Sequence, residues 1–106
     1  MPEALVILAK SYYNLVNYNQ AINELEEWLE YGEDVKQEHI PLLPEIYYYL
    51  ALSYSNIPEG SCKALDNFRI IKSNYQDTEF YKSGGISADI EQKIAESEKA
   101  CNGNVK

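Results

Sequence analysis

Apolar side chains recur along this chain at intervals of three and four, the spacing of helices with one covered face. Strand-like alternation appears over no useful length. The first helical stretch runs from about Glu3 to Leu15, with Leu5, Leu8, Tyr12 and Leu15 on one stripe and Ala9 as a small contact residue on the same face. Asn17 or Asn19 can cap a second helix, which turns Ala21, Ile22, Leu25, Trp28 and Leu29 inward. Its other face carries Glu24, Glu26, Glu27 and Glu30, and Gly32 is a natural stop. Residues 33–43 are irregular and hold His39 and Pro41. Pro44 suits the first turn of a third helix through Ile46, Tyr47, Leu50, Ala51 and Tyr54. Pro58-Glu59-Gly60 breaks it, and Ser61 can cap a fourth helix with Ala64, Leu65, Phe68, Ile70 and Ile71. A turn at 74–77, a short helical piece at about 78–81 and Gly84-Gly85 follow. Ser87 then caps a last helix with Ile90, Ile94 and Ala95 inward, ending near Gly103.

Two units of this pattern repeat. Leu8-Ala9-Lys10-Ser11-Tyr12 aligns with Leu50-Ala51-Leu52-Ser53-Tyr54, and the Ala21, Leu25 and Trp28 series aligns with Ala64, Phe68 and Ile71. Small residues at Ala9, Ala51, Ala21 and Ala64 let paired helices approach closely, while the large ones fill the space between layers.

This pattern resembles the tetratricopeptide repeat. The matching residues are Leu5, Leu8, Ala9, Tyr12, Tyr18, Ala21, Leu25 and Trp28 in the first unit, then Tyr47, Leu50, Ala51, Tyr54, Ala64, Phe68 and Ile71 in the second. The chain departs from the family's pattern in period. Leu8 and Leu50 lie 42 residues apart and Ala21 and Ala64 lie 43 apart, against about 34 in the family. The second turn is one residue longer, and Trp28 and Ile71 stand where the family has a small residue. The stretches 21–29, 47–54 and 74–81 look like the family's bacterial envelope branch, that of the outer-membrane β-barrel assembly lipoprotein and the Tol-Pal cell-division coordinator. The resemblance implies an all-α, TPR-like α-solenoid of two helix-turn-helix repeats, about 3–32 and 44–76. A connector spans about 33–43 and a C-terminal capping helix about 87–102. The front helix has no cap of its own, so a dimer, a larger assembly or further N-terminal sequence would cover it.

Composition sharpens what such a module can meet. Nine basic and 17 acidic residues leave a net charge of −8, which gives no electrostatic footprint for nucleic acid or anionic lipid. The run Ala4 to Ala9 is too short for a membrane span or a signal sequence, so no membrane insertion is expected. The resemblance favours a periplasmic or outer-membrane-associated setting, with a cytoplasmic one as the alternative. Cys62 and Cys101 form no metal-binding motif; two unpaired thiols are the favoured reading and a disulfide is the alternative. His39 stands alone, so no metal or cofactor is expected. No Ser/His/Asp or Cys/His arrangement, phosphate loop or dinucleotide fingerprint points to an enzyme.

Tyrosine is over-represented, at 10 of 106 residues, and it is a residue of interfaces as well as cores. Tyr12, Tyr18, Tyr47 and Tyr54 are expected in the core. In the family, the first helix of each pair lines a concave groove. By that resemblance Val6, Lys10, Tyr13 and Asn14, with Tyr48, Leu52, Ser55 and Asn56, would bind a partner. The groove lacks the basic and amide set that clamps a C-terminal carboxylate, so an extended peptide or a helix of a partner protein suits it better. The expected function is a protein-interaction scaffold; a self-assembling structural subunit is the alternative.

Overall fold

The computed structural model describes residues 2–30, 43–57 and 59–104. The side chains of 2–6, 9, 103 and 104 lie outside that description, as do Gly32, His39 and all of the expected connector except Leu43. The described residues form six helices and no strand: α1 (Pro2–Asn14), α2 (Tyr18–Leu29), α3 (Leu43–Ser55), α4 (Ser61–Asn74), α5 (Glu79–Lys82) and α6 (Ile86–Asn104). Contacts follow chain order. Helix α1 packs on α2 and α3, α2 on α3, α3 on α4, and α4 on α6, while α5 rests against α6 and α3.

The helical pattern explains the core directly. Leu25, Ile46, Phe68, Ile71 and Ile90 are fully buried, one or more from each of α2, α3, α4 and α6. Ala21, Ala51 and Ala64 are also wholly enclosed, as close helix packing requires. Trp28, Leu29, Ile94 and five tyrosines in helices, Tyr13, Tyr47, Tyr48, Tyr49 and Tyr81, pack around this cluster. The buried Ser53 hydroxyl donates to the Tyr49 carbonyl one turn back, so it leaves no open polar group. Tyr54 is buried, whereas Tyr12, Tyr18 and Tyr47 are only half-buried.

The chain's turns are tight. Helix α1 closes with Asn17 N–H donating to the Tyr12 carbonyl and Val16 N–H donating to the Tyr13 carbonyl. This is a Schellman-type end that puts Val16 in the left-handed region, at φ 62°. A β-branched residue there costs about 1–2 kcal/mol, which the closing hydrogen bonds offset. Between α3 and α4, Gly60 lies so close to the end of α3 that a Cβ would sit 2.0 Å from the Tyr54 carbonyl oxygen. Only glycine permits α4 to start at this point.

Several expectations change. Leu8 and Leu15 are 38% and 76% exposed rather than inward. The face of α1 that meets α3 instead carries Lys10 and Tyr13, because Lys10 pairs with Glu45 and Tyr13 packs edge-on against Tyr49. Asn17 stands at the start of α2 without a side-chain cap bond, and Asn19 lies inside the helix. Gly60, not Ser61, precedes α4. Ser87 falls inside α6 and Ala95 is exposed. Thr78 caps the short α5, accepting from Tyr81 N–H.

The two cysteines are not thiols. Cys62 and Cys101 form a disulfide across 39 residues of sequence, with their Cα atoms 4.7 Å apart. Nothing in their spacing signals the pair. The return of α6 along α4 brings the start of one helix beside the end of the other.

Candidate functional site

A cleft of about 330 Å³ opens between α1, the C-terminal half of α3, the first residue of α4 and α6. Tyr13 comes from α1; Leu52, Ser55 and Asn56 come from α3 and its end; Ser61 opens α4. Lys93, Glu96, Ser97 and Ala100 complete it from α6, at the i, i+3, i+4 and i+7 spacing that puts them on one helical face. The Asn56 carboxamide donates to the Leu52 carbonyl, and the Ser55 hydroxyl donates to the same carbonyl. These bonds seal the end of α3 and hold both side chains at the cleft's edge. Leu52 is buried, while Ser55 and Asn56 are exposed. The lining thus combines the apolar groups of Tyr13, Leu52 and Ala100 with hydroxyl, amide and charged groups.

Four of the expected partner-binding residues, Tyr13, Leu52, Ser55 and Asn56, meet in this cleft. The others do not. The Val6 side chain lies outside the described residues. Lys10 is engaged 3.1 Å from a Glu45 oxygen and lies over the Tyr49 ring. The hydrogen bond and the charge of Glu45 push its ammonium up from the ordinary lysine range. Asn14 is exposed but does not line the cleft.

Tyr48 does not line the cleft either. Its hydroxyl donates to Asp89 on α6 at 2.6 Å, and its ring packs edge-on against Tyr49, Phe68 and Phe80. Burial, then the bond to Asp89, pushes its pKa well above the ordinary tyrosine range, so it stays a neutral donor. It thereby fastens α6 to α3, the two helices that supply most of the cleft lining. Tyr54 does the same between layers. It donates to Glu26 of α2, and burial followed by that bond raises its pKa in the same way. Glu26 is therefore an inter-helix acceptor, not part of a purely solvated face.

The residues of α6 escaped the sequence reading. Only Ser97 among them carried a signal, as a member of the helical stripe Ile86, Ile90, Ile94, Ser97 and Cys101. Two members of the stripe are polar or sulfur-bearing, so hydrophobic periodicity alone stops at Ile94.

Among the described residues no His, Cys, Asp and Glu group could hold a metal, and no helix is long and apolar enough to cross a membrane. No protein-family model, curated protein or solved structure matches the chain.

Proposed function

We propose that the protein is an interaction scaffold whose cleft between α1, α3 and α6 takes a peptide segment of a partner protein. The cleft itself carries this reading. It draws residues from four helices, is open to solvent, and joins an aromatic and aliphatic patch to polar groups able to meet a peptide backbone. The chain-ordered packing of the helices supports a tetratricopeptide-like solenoid, in which α6 acts as a further groove-lining helix. An envelope setting rests on the resemblance of 21–29, 47–54 and 74–81 alone.

Selection of random peptides displayed on phage against the oxidised protein tests the reading. Ala100 is exposed and lines the cleft, so Ala100→Trp fills the cleft without entering the core. The selected peptide should lose at least about tenfold in affinity for this variant, a change of about 1.4 kcal/mol. Ile7→Ser, on the outer face of α1, should leave affinity unchanged. Equal binding to Ala100→Trp and the unmodified protein contradicts the assignment.

A second reading, a subunit that packs on copies of itself, is favoured by one observation. Ile7, Leu8, Leu15 and Val16 expose 65%, 38%, 76% and 67% of their surface on and just after α1. Sedimentation equilibrium of the protein beside Leu15→Glu decides it. An oligomer lost in the variant supports self-assembly, and a strict monomer at high concentration excludes it.

A further inference from the structure

We propose, on the reading of the cleft as the binding site, that the Cys62–Cys101 disulfide is the latch of that cleft and that its reduction releases the bound segment. Ser61 and Ala100, each immediately before one of the cysteines, both line the cleft, so the bond sits at its edge. The first half of α6 has anchors of its own. Ile90 is fully buried, Ile94 packs against the core, and Asp89 accepts from Tyr48. The second half is different. Beyond the buried Ser97, Glu98, Lys99, Ala100 and Asn102 are exposed, and Cys101 is half-buried. The Arg69–Glu98 pair lies at the surface, with about half of each side chain exposed, where such a pair holds weakly. The covalent bond is thus what keeps the end of α6, and with it Ala100, against the start of α4.

Both cysteines are half-buried, so a small dithiol reductant reaches them. A thiolate of that reductant attacks one Sγ, the S–S bond breaks, and the other cysteine leaves as a thiolate that takes up a proton. The reductant's second thiol loses its proton and closes onto the mixed disulfide, freeing the first cysteine. The reductant ends as a disulfide and the protein as two thiols, a transfer of two electrons and two protons. The last turns of α6 then fray from Ser97 onward, as helix ends without tertiary anchors do. The cleft loses the wall that Ser97 and Ala100 supply.

Hydrogen exchange tests the latch without any ligand. It compares the oxidised protein, the protein reduced with dithiothreitol, and the Cys62→Ser/Cys101→Ser variant. Amides from 98 to 104 should exchange at least about tenfold faster in the last two and approach the unprotected rate, while those of 46–51 and 64–71 speed up only as far as the lost global stability requires and remain protected. The peptide selected by display should lose about tenfold or more in affinity on reduction. Unchanged exchange at the end of α6 overturns the proposal. So does loss of protection in every helix, which would make the bond a staple of the whole fold. A peptide that binds both redox states equally overturns the latch and leaves the binding site standing. Failure to select any peptide that Ala100→Trp blocks overturns the binding site itself.

Discussion

Phe68→Ala is expected to cost about 3–5 kcal/mol of stability. Phe68 is fully buried in the middle of α4 and, among the described residues, is the largest of the wholly enclosed side chains. It packs edge-on against Tyr48, with ring centroids 6.2 Å apart, and Tyr48 in turn holds Asp89 of α6. Truncation therefore removes the transfer energy of a benzyl group and leaves a cavity. The void lies beside Tyr48, which ties α3 to α6. A domain of this length holds only about 5–15 kcal/mol in total, so the variant should sit near the edge of folding. Urea titration followed by far-UV circular dichroism reads the shift in midpoint. A loss under about 1 kcal/mol would mean that the α3–α4–α6 junction is not the centre of the core.

Loss of the disulfide is expected to cost about 4 kcal/mol, within a usual range of about 2–5. The bond joins residues separated by 39 positions, and the cost reflects the entropy that a closed loop of that size removes from the unfolded chain. The folded chain should survive this loss, because the fully buried Leu25, Ile46, Phe68 and Ile71 lie outside the first turn of α4 and the last turns of α6 that hold the cysteines. Urea midpoints of the oxidised protein and the Cys62→Ser/Cys101→Ser variant measure the difference, provided the slopes agree. Coincident midpoints would contradict the assignment of a stabilising covalent link.

Much of the helical layout was legible from periodicity. Ala21, Ile22 and Leu25 of α2 and Ala64, Leu65, Phe68 and Ile71 of α4 were read as inward, since those helices have a polar face that leaves one side to bury, whereas α3 is buried around most of its circumference and also encloses Leu52 and Ser53. Helix α1 was harder. Leu5, Val6, Ile7, Leu8 and Leu15 place apolar groups around most of its circumference, so periodicity does not select a face. The partners on α3 select it, through Glu45 for Lys10 and Tyr49 for Tyr13. The contacts of Tyr48 were hidden for a related reason. Its register puts it on the groove side of α3, and only the return of α6 brings Asp89, and the placing of α5 brings Phe80, against it. Half of the cleft and the disulfide depend on that same return, a long-range arrangement with no local signature in sequence. Tyr13, Leu52, Ser55 and Asn56 could be assigned to one groove because they lie on α1 and on or just after α3, whose relation the internal repeat makes visible.

The central claim is that a peptide segment binds between α1, α3 and α6. Backbone amide chemical-shift mapping of the oxidised protein, titrated with the display-selected peptide, tests it most directly. The largest shifts should fall at Tyr13, Leu52, Ser55, Asn56, Ser97 and Ala100, the residues that line the cleft. Shifts concentrated instead at Ile7, Leu8 and Leu15, or along Glu24, Glu27 and Glu30, would place binding on the outer face of α1 or of α2 and contradict it.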